Sequence, residues 1–397
     1  MSARARRLYH ATESRFHRDS TGSIRSPHPV DAYTNQRALL ELFDEIVVLA
    51  RVDEEKVSDN GEPVTGPGVS VVALPSYRGA VQAVRALPQL NQAVRSLEVD
   101  ESVASGRLPG VVATVLQRHA RREHMPFLGH VVGDPFDVMN SGVSGRLGAL
   151  AAPILRAMMR RQVRNCQAVT YVSTAFLQRR YPARRDADVL VRPGARIGDG
   201  DLKQRNDFTV RETPVLLAVG SQEQLYKGHD QIIRVAGRLA RAGVLVHVVL
   251  IGEGRYQSTL RALAAEHGVA EQIEFVGGVN HTEINGYLDR ADVFLMPSMT
   301  EGLPRALVEA MARSLPAIGS DAGGIPELLE PDAVVARGDE AELESAIRRA
   351  LESEQWRASQ GRRNYEKAIE LSALTDDARW LDFLRNFRDR GSNGQAR

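Results

Sequence analysis

Between residues 215 and 352, short apolar runs alternate with helical segments, and few folds accept that order. Residues 215–219, 244–251, 273–276, 293–296 and 315–319 read as strands buried on both faces. Residues 229–242, 256–267, 283–290, 304–313 and 340–352 read as helices. In the first of these, Ile232, Ile233, Val235, Ala236, Leu239 and Ala240 share one face. Continuous strand–helix alternation implies a parallel sheet covered by helices on both sides.

The first half repeats the pattern less regularly. Strand candidates are residues 8–11, 45–49, 70–74, 127–132 and 168–172, and helix candidates are 80–94, 110–122 and 145–164. The stretch 192–205 (RPGARIGDGDLKQR) is rich in glycine and charge and reads as a linker. The 397 residues then divide into a first doubly wound domain (1–205), a second (206–375) and a C-terminal helix (376–397). That helix is expected to pack back on the first domain, with residues 391–397 as a disordered tail. Two such domains place a ligand cleft between the carboxyl ends of their sheets.

Composition narrows the function. Basic and acidic residues nearly cancel, 51 against 50, which argues against nucleic acid as the main partner. A single cysteine, Cys166, excludes an internal disulfide and a multi-thiolate metal site. The longest apolar run, 243–251, is far short of a bilayer span of about 20 residues. The N-terminal segment is basic but has no apolar region after it, so a cytoplasmic protein is expected. Residues 151–164 (AAPILRAMMRRQVR) allow a weak peripheral contact with anionic lipid, although a surface helix with one buried stripe is the favoured reading. Only four of the 51 basic residues are lysine, so a lysine at a motif position stands out.

Chemistry concentrates in the second half. Glu301 and Glu309 lie eight positions apart in EGLPRALVE, the first in a loop and the second within the following helix. Gly302 and Leu303 offer backbone N–H groups at the helix start, which suit oxyanions and hydroxyls. Taken alone, the pair weighs equally as a polyhydroxyl site and as a helix-start carboxylate with a surface neighbour. Lys227 precedes a helix after the turn Gly220-Ser221, a poor place for a cation unless it meets an anion. Further glycine turns end strands at Gly252-Glu253-Gly254, at Gly277-Gly278 and at Gly323-Gly324. Several such turns in one domain fit a nucleotide cleft.

Together these segments resemble the nucleotide-sugar half of family 4 retaining glycosyltransferases of the GT-B architecture. The likeness is close over about residues 215–329. It is looser in the first half, at residues 43–52, at Arg107-Leu-Pro-Gly110, and at residues 131–137 and 171–181. It implies two doubly wound Rossmann-like domains facing each other across a cleft. By this resemblance Glu301 looks onto the donor sugar, Glu309 holds the ribose and Lys227 neutralises the diphosphate. Gly302, Leu303 and Pro304 meet sugar and phosphate, while Val279 and His281 lie near the base. Gly220, Ser221, Gly252 and Gly254 border the donor, and Gly22 takes the place of a glycine beside the diphosphate. Asp134 stands near the reacting sugar, where many members have a histidine, and Ser221 where many have an arginine. Arg107 is a candidate to compensate for Ser221. His10, His17 and His130, with Arg107, are candidates on the acceptor side, although a lone histidine beside a strand is more often structural.

The function implied is metal-free, retaining sugar transfer to a hydroxyl acceptor, whether polysaccharide, glycolipid or antibiotic-type. No cofactor is expected beyond the nucleotide-diphosphate sugar, UDP-linked ahead of GDP-linked. One alternative is a catalytically weak, nucleotide-sugar-binding partner subunit, which Ser221 and Asp134 motivate. Another is a metal-dependent transferase using Asp199-Gly200-Asp201, but that tripeptide falls in the linker and reads better as a solvated turn.

Overall fold

Alternate residues of the first strand point to opposite faces, which gives the first domain two cores. The computed structural model describes residues 6–140, 145–195, 197, 198 and 200–393. The first domain comprises β1 (Arg7–Arg18), β2 (Ile24–Ser26), α1 (Tyr33–Gln36), β3 (Glu45–Val57), β4 (Glu62–Pro63), β5 (Val69–Pro75), α2 (Gly79–Arg95), β6 (Ser102–Leu108), α3 (Val111–Arg122), β7 (Phe127–Val131), α4 (Pro135–Asn140), α5 (Gly145–Arg164), β8 (Ala168–Tyr171), α6 (Phe176–Arg180) and β9 (Asp188–Val191). Its parallel strands run in the order β5-β3-β1-β6-β7-β8-β9. Past a register shift between Ala11 and Arg15, β1 continues outward and returns as a hairpin with β2.

Tyr9 and Ala11 pack with Leu90 and Val94 of α2 and Leu116 of α3. Leu8, Ile46 and Leu128 face the other way, against Phe383, Leu384 and Phe387. Those three residues come from the far end of the chain. Leu384 and Phe387 are almost wholly buried, worth about 2 kcal/mol each, so this helix closes the second face of the first sheet.

The second domain comprises β10 (Val215–Val219), α7 (His229–Arg241), β11 (His247–Ile251), α8 (Gln257–Glu266), β12 (Ile273–Gly277), α9 (His281–Arg290), β13 (Val293–Met296), α10 (Arg305–Ala312), β14 (Ala317–Ser320), β15 (Val334–Val335), α11 (Glu340–Glu352) and α12 (Glu354–Ala373), after which α13 (Asp377–Asn393) crosses to the first domain. Its sheet is parallel throughout, in the order β12-β11-β10-β13-β14-β15. Leu216 packs with α7 and α11, while Leu217 packs with α9 and α10. In each sheet the first strand lies inside and the strand order reverses beside it. A crevice opens there, outside the carboxyl ends, where ligands bind in open α/β sheets.

The linker 192–205 is anchored: Ala195 and Ile197 are buried in the second core, and Arg205 donates to the carbonyls of Leu288 and Ala291. Two readings need correction. Residues 391–393 of the expected tail are helical, and 394–397 lie outside the described residues. Strand β6 (SVASGRL) carries no apolar alternation, because α3 sits so close that a Cβ on Gly106 would come 2.7 Å from Ala113 Cβ. Among the described residues, no helix is long and apolar enough to cross a membrane.

Candidate active site

Lys227 and Glu301 follow β10 and β13, the two strands on either side of the switch point. Lys227 ends the 3-10 turn Leu225–Lys227 ahead of α7. The first residue after β10 is Gly220, where a Cβ would lie only 3.1 Å from the Lys227 Cγ. The missing side chain makes room for the lysine stem. Glu301 sits in the loop between β13 and α10. That loop is tied on both sides: Met299 N–H donates to the Tyr226 carbonyl at 2.7 Å, and Gly324 N–H to the Gly302 carbonyl at 2.9 Å. These ties bring Lys227 Nζ to 2.7 Å from Glu301 Oε1, with the side chains 18% and 8% exposed. A largely desolvated ammonium beside a carboxylate is strongly coupled to any anion that enters the crevice.

The other candidates of the second domain surround this pair. Leu303 is buried and Pro304 forms the N-cap of α10, whose first turn carries no acidic residue. Glu309 lies within α10 and is half-buried. Gly252 and Gly254 pack against the backbone of Gly220 and Gln222. Ser221 is exposed, and its hydroxyl accepts from Glu223 N–H at 3.2 Å. Val279 is half-buried against the second core. His281 begins α9 behind an Asn280–Glu283 capping box, and its side chain lies outside the described residues.

The first domain meets this crevice at its own strand ends. A Cβ on Gly302 would lie 2.3 Å from the Val132 carbonyl oxygen, so only glycine lets the two loops approach. Glu327, in the 3-10 turn Ile325–Glu327, reaches across to the start of α6. Its carboxylate accepts from Thr174 N–H (2.7 Å), Thr174 Oγ1 (2.6 Å) and Ala175 N–H (3.1 Å), and also from Phe176 N–H. A carboxylate from one domain thus caps a helix of the other. The sequence offers Glu327 only as the end of a glycine turn, and nothing local links it to residue 174. Arg337 adds a looser contact to Asp137 at 3.6 Å.

Several first-domain candidates sit elsewhere than expected. Asp134 is not open to a sugar. It is 2% exposed, pairs with Arg180 at 2.7 Å, caps Phe136 N–H at 2.8 Å and accepts from the Tyr181 hydroxyl. Gly22 occupies an exposed turn between β1 and β2, with its N–H donating to the Asp19 carbonyl, rather than a strand end beside the diphosphate. His17 is buried, with Nε2 2.8 Å from the Asn60 carbonyl. His10 and His130 lie 5.7 Å apart on the α13 face, His130 also 6.0 Å from the Trp380 ring. Each directs Nδ1 to a hydroxyl, Ser105 and Thr170 respectively. Burial, then the Arg107 charge, lowers His10 to about 4, and burial pushes His130 well below the usual range. Arg107 is held by buried Asp31 at 3.0 Å, which leaves it poorly placed to replace a cation at Ser221.

In the tripeptide 199–201, Asp199 lies outside the described residues. The Asp201 carboxylate accepts from Gly198 N–H and Asn285 Nδ2. Among the described residues, no group of three or more His, Cys, Asp or Glu is arranged to hold a metal ion.

Residues 201–367 match the family described as Glycosyl transferases group 1. Protein CapJ of Staphylococcus aureus is 24% identical to this chain over 80% of each. Other curated relatives, 30–37% identical and described as glycosyltransferases or mannosyltransferases, match in part, and the chain spans 27–54% of their length. Among solved structures, sucrose-phosphate synthase from Thermosynechococcus elongatus superposes with a TM-score of 0.71 at 17% identity, over 95% of this chain and 98% of that one. HepE of Anabaena in complex with UDP gives a TM-score of 0.63 at 15% identity, over 95% and 99%. The fold of the whole chain is GT-B.

Proposed function

We propose that the protein is a retaining, metal-independent glycosyltransferase that moves a sugar from a UDP-linked donor, ahead of a GDP-linked one, to a hydroxyl acceptor. The observation that carries this reading is the Lys227–Glu301 pair at the switch point of the second domain. In this structure the ammonium is neutralised by the carboxylate. An incoming diphosphate competes for Lys227 and releases Glu301 toward the donor sugar. As the bond from the anomeric carbon to the diphosphate oxygen breaks, negative charge grows on the diphosphate and positive charge on the ring. Lys227 stabilises the first and Glu301 the second. The acceptor oxygen bonds to the same face of that carbon, and its proton passes to the departing phosphate. Glu309 holds the ribose, with Val279 and His281 near the base. HepE, a structure of similar fold, was solved with UDP, whereas several relatives 30–31% identical over part of their length are described as GDP-mannose-dependent, so the donor panel carries both nucleotides.

The acceptor is a polysaccharide, glycolipid or small natural product, bound by the first domain. On that domain α5 exposes Ile154 and Met158 beside Arg160, Arg161 and Arg164, the face a peripheral contact with anionic lipid would use.

The test is nucleotide release from a panel of UDP- and GDP-sugars, with wild type beside Glu301→Ala and Lys227→Ala. Turnover by wild type alone supports the proposal. Wild-type rates in either variant would sink it, and nucleotide-dependent stabilisation without turnover of any sugar would favour a weakly active partner subunit.

A further inference from the structure

Helices α2, α3 and α5 cover one face of the first sheet and bury Leu90, Leu116 and Val163 in a common core. They lie side by side. α2 packs against α3, and the Gln117 amide of α3 donates to the Gln162 carbonyl of α5 at 2.9 Å. None of the three contains an aspartate or a glutamate. The chain as a whole nearly balances its charge, 51 basic residues against 50 acidic, so this layer is a local exception.

The outward faces carry arginine and aliphatic tips. Every exposed residue of α3 is an arginine: Arg118, Arg121 and Arg122. On α2, Val81 and Val84 are 67% and 64% exposed and share a stripe with exposed Arg85. On α5, Ile154 is 64% exposed and Met158 41%, in line with exposed Arg161. Elsewhere, arginines on helices are met by carboxylates, as Arg234 is by Asp230 and Arg348 by Glu344. Among the described residues, Arg85, Arg118, Arg121, Arg122 and Arg161 form no ion pair. Glu123, at the C-cap of α3, pairs with none of them.

We infer that the outer face of α2, α3 and α5 docks the protein on an anionic lipid bilayer. The arginines meet headgroup phosphates, and Val81, Val84, Ile154 and Met158 reach the acyl boundary. The α5 stripe is one edge of this face. A nucleic acid would use the arginines but leave the aliphatic tips in water, and the three helices hold no Phe, Tyr or Trp on which a base could stack. The docking stands whether or not the chain transfers sugars.

The test is a lipid titration, read by flotation of the full chain with vesicles of phosphatidylcholine alone or mixed with phosphatidylglycerol. Wild type should float with the mixed vesicles only, and less at high salt. The triple variant Arg118→Gln, Arg121→Gln, Arg122→Gln should bind them at least about tenfold more weakly. Val84→Gln with Ile154→Gln should also weaken binding. A control, Arg241→Gln, Arg261→Gln, Arg362→Gln, removes the same charge from exposed positions of the second domain and should bind as wild type does. Thermal unfolding midpoints of all variants should stay near wild type, since every altered side chain is exposed. Equal binding to both vesicle types, no binding to the mixed vesicles, undiminished binding by either face variant, or an equal loss in the control each overturns the proposal. So does release of wild type from the vesicles by an equal charge of duplex DNA, which would mark a nucleic-acid surface.

Discussion

Lys227 Nζ lies 2.7 Å from Glu301 Oε1, and this pair joins the turns that follow the two strands at the switch point. Removing one partner leaves the other largely desolvated and uncompensated. Lys227→Met and Glu301→Gln are each expected to lower stability by roughly 3 kcal/mol or less, the pair not being fully dry. The double variant should recover part of that loss. Urea unfolding of the four proteins measures the coupling, and strictly additive losses would show that the two side chains act independently.

In turnover the same variants should cost far more. Loss of a group that stabilises developing charge typically lowers kcat by about 10²–10³-fold. Glu301→Gln should lower kcat without weakening nucleotide binding, because the amide keeps the shape but no longer competes with the diphosphate for Lys227. Steady-state kinetics with the best donor of the panel separates the two parameters.

Glu327 caps α6 from the other domain, and Glu327→Gln removes the charge that favours that helix start. The cap is worth about 1 kcal/mol. The variant should open the cleft more often, which small-angle scattering would read as a larger radius of gyration, and nucleotide binding should shrink the difference. Identical scattering from both proteins would show that the contact does not hold the domains together.

Buried histidines set a pH dependence. Burial lowers His10 and His229 to about 4 and pushes His130 well below its usual range, whereas an unfolded histidine titrates near 6.5. Between about pH 4 and 6.5 the unfolded chain therefore holds more protons, so stability rises with pH across that window and falls on acidification. Urea midpoints at pH 7 and pH 5 should show this loss in wild type, and a smaller loss in His130→Gln.

Much of this arrangement was legible in the sequence. Five of the six strands of the second domain could be read because each is a continuous apolar run, while the two-residue β15 (Val334–Val335) is too short to show, and Lys227 stood out because lysine is so rare in the chain. What stayed hidden depends on contacts between distant segments. Strand β6 is small and polar because α3 presses on it at Gly106. Helix α12 buries Arg357, Gln360 and Asn364, so it lacks a plain apolar stripe. Asp134 looked available beside the sugar, yet Arg180 and Tyr181, more than forty residues on, enclose it. The bond between Glu327 and Thr174 spans more than 150 residues and leaves no local mark.

The crevice between β10 and β13 is tested most directly by titrating UDP and GDP into wild type and Lys227→Met. At least one nucleotide should bind wild type, and about tenfold or more weakly when the ammonium is gone. Undiminished affinity in Lys227→Met, or no binding of either nucleotide to wild type, would contradict a diphosphate site built on Lys227.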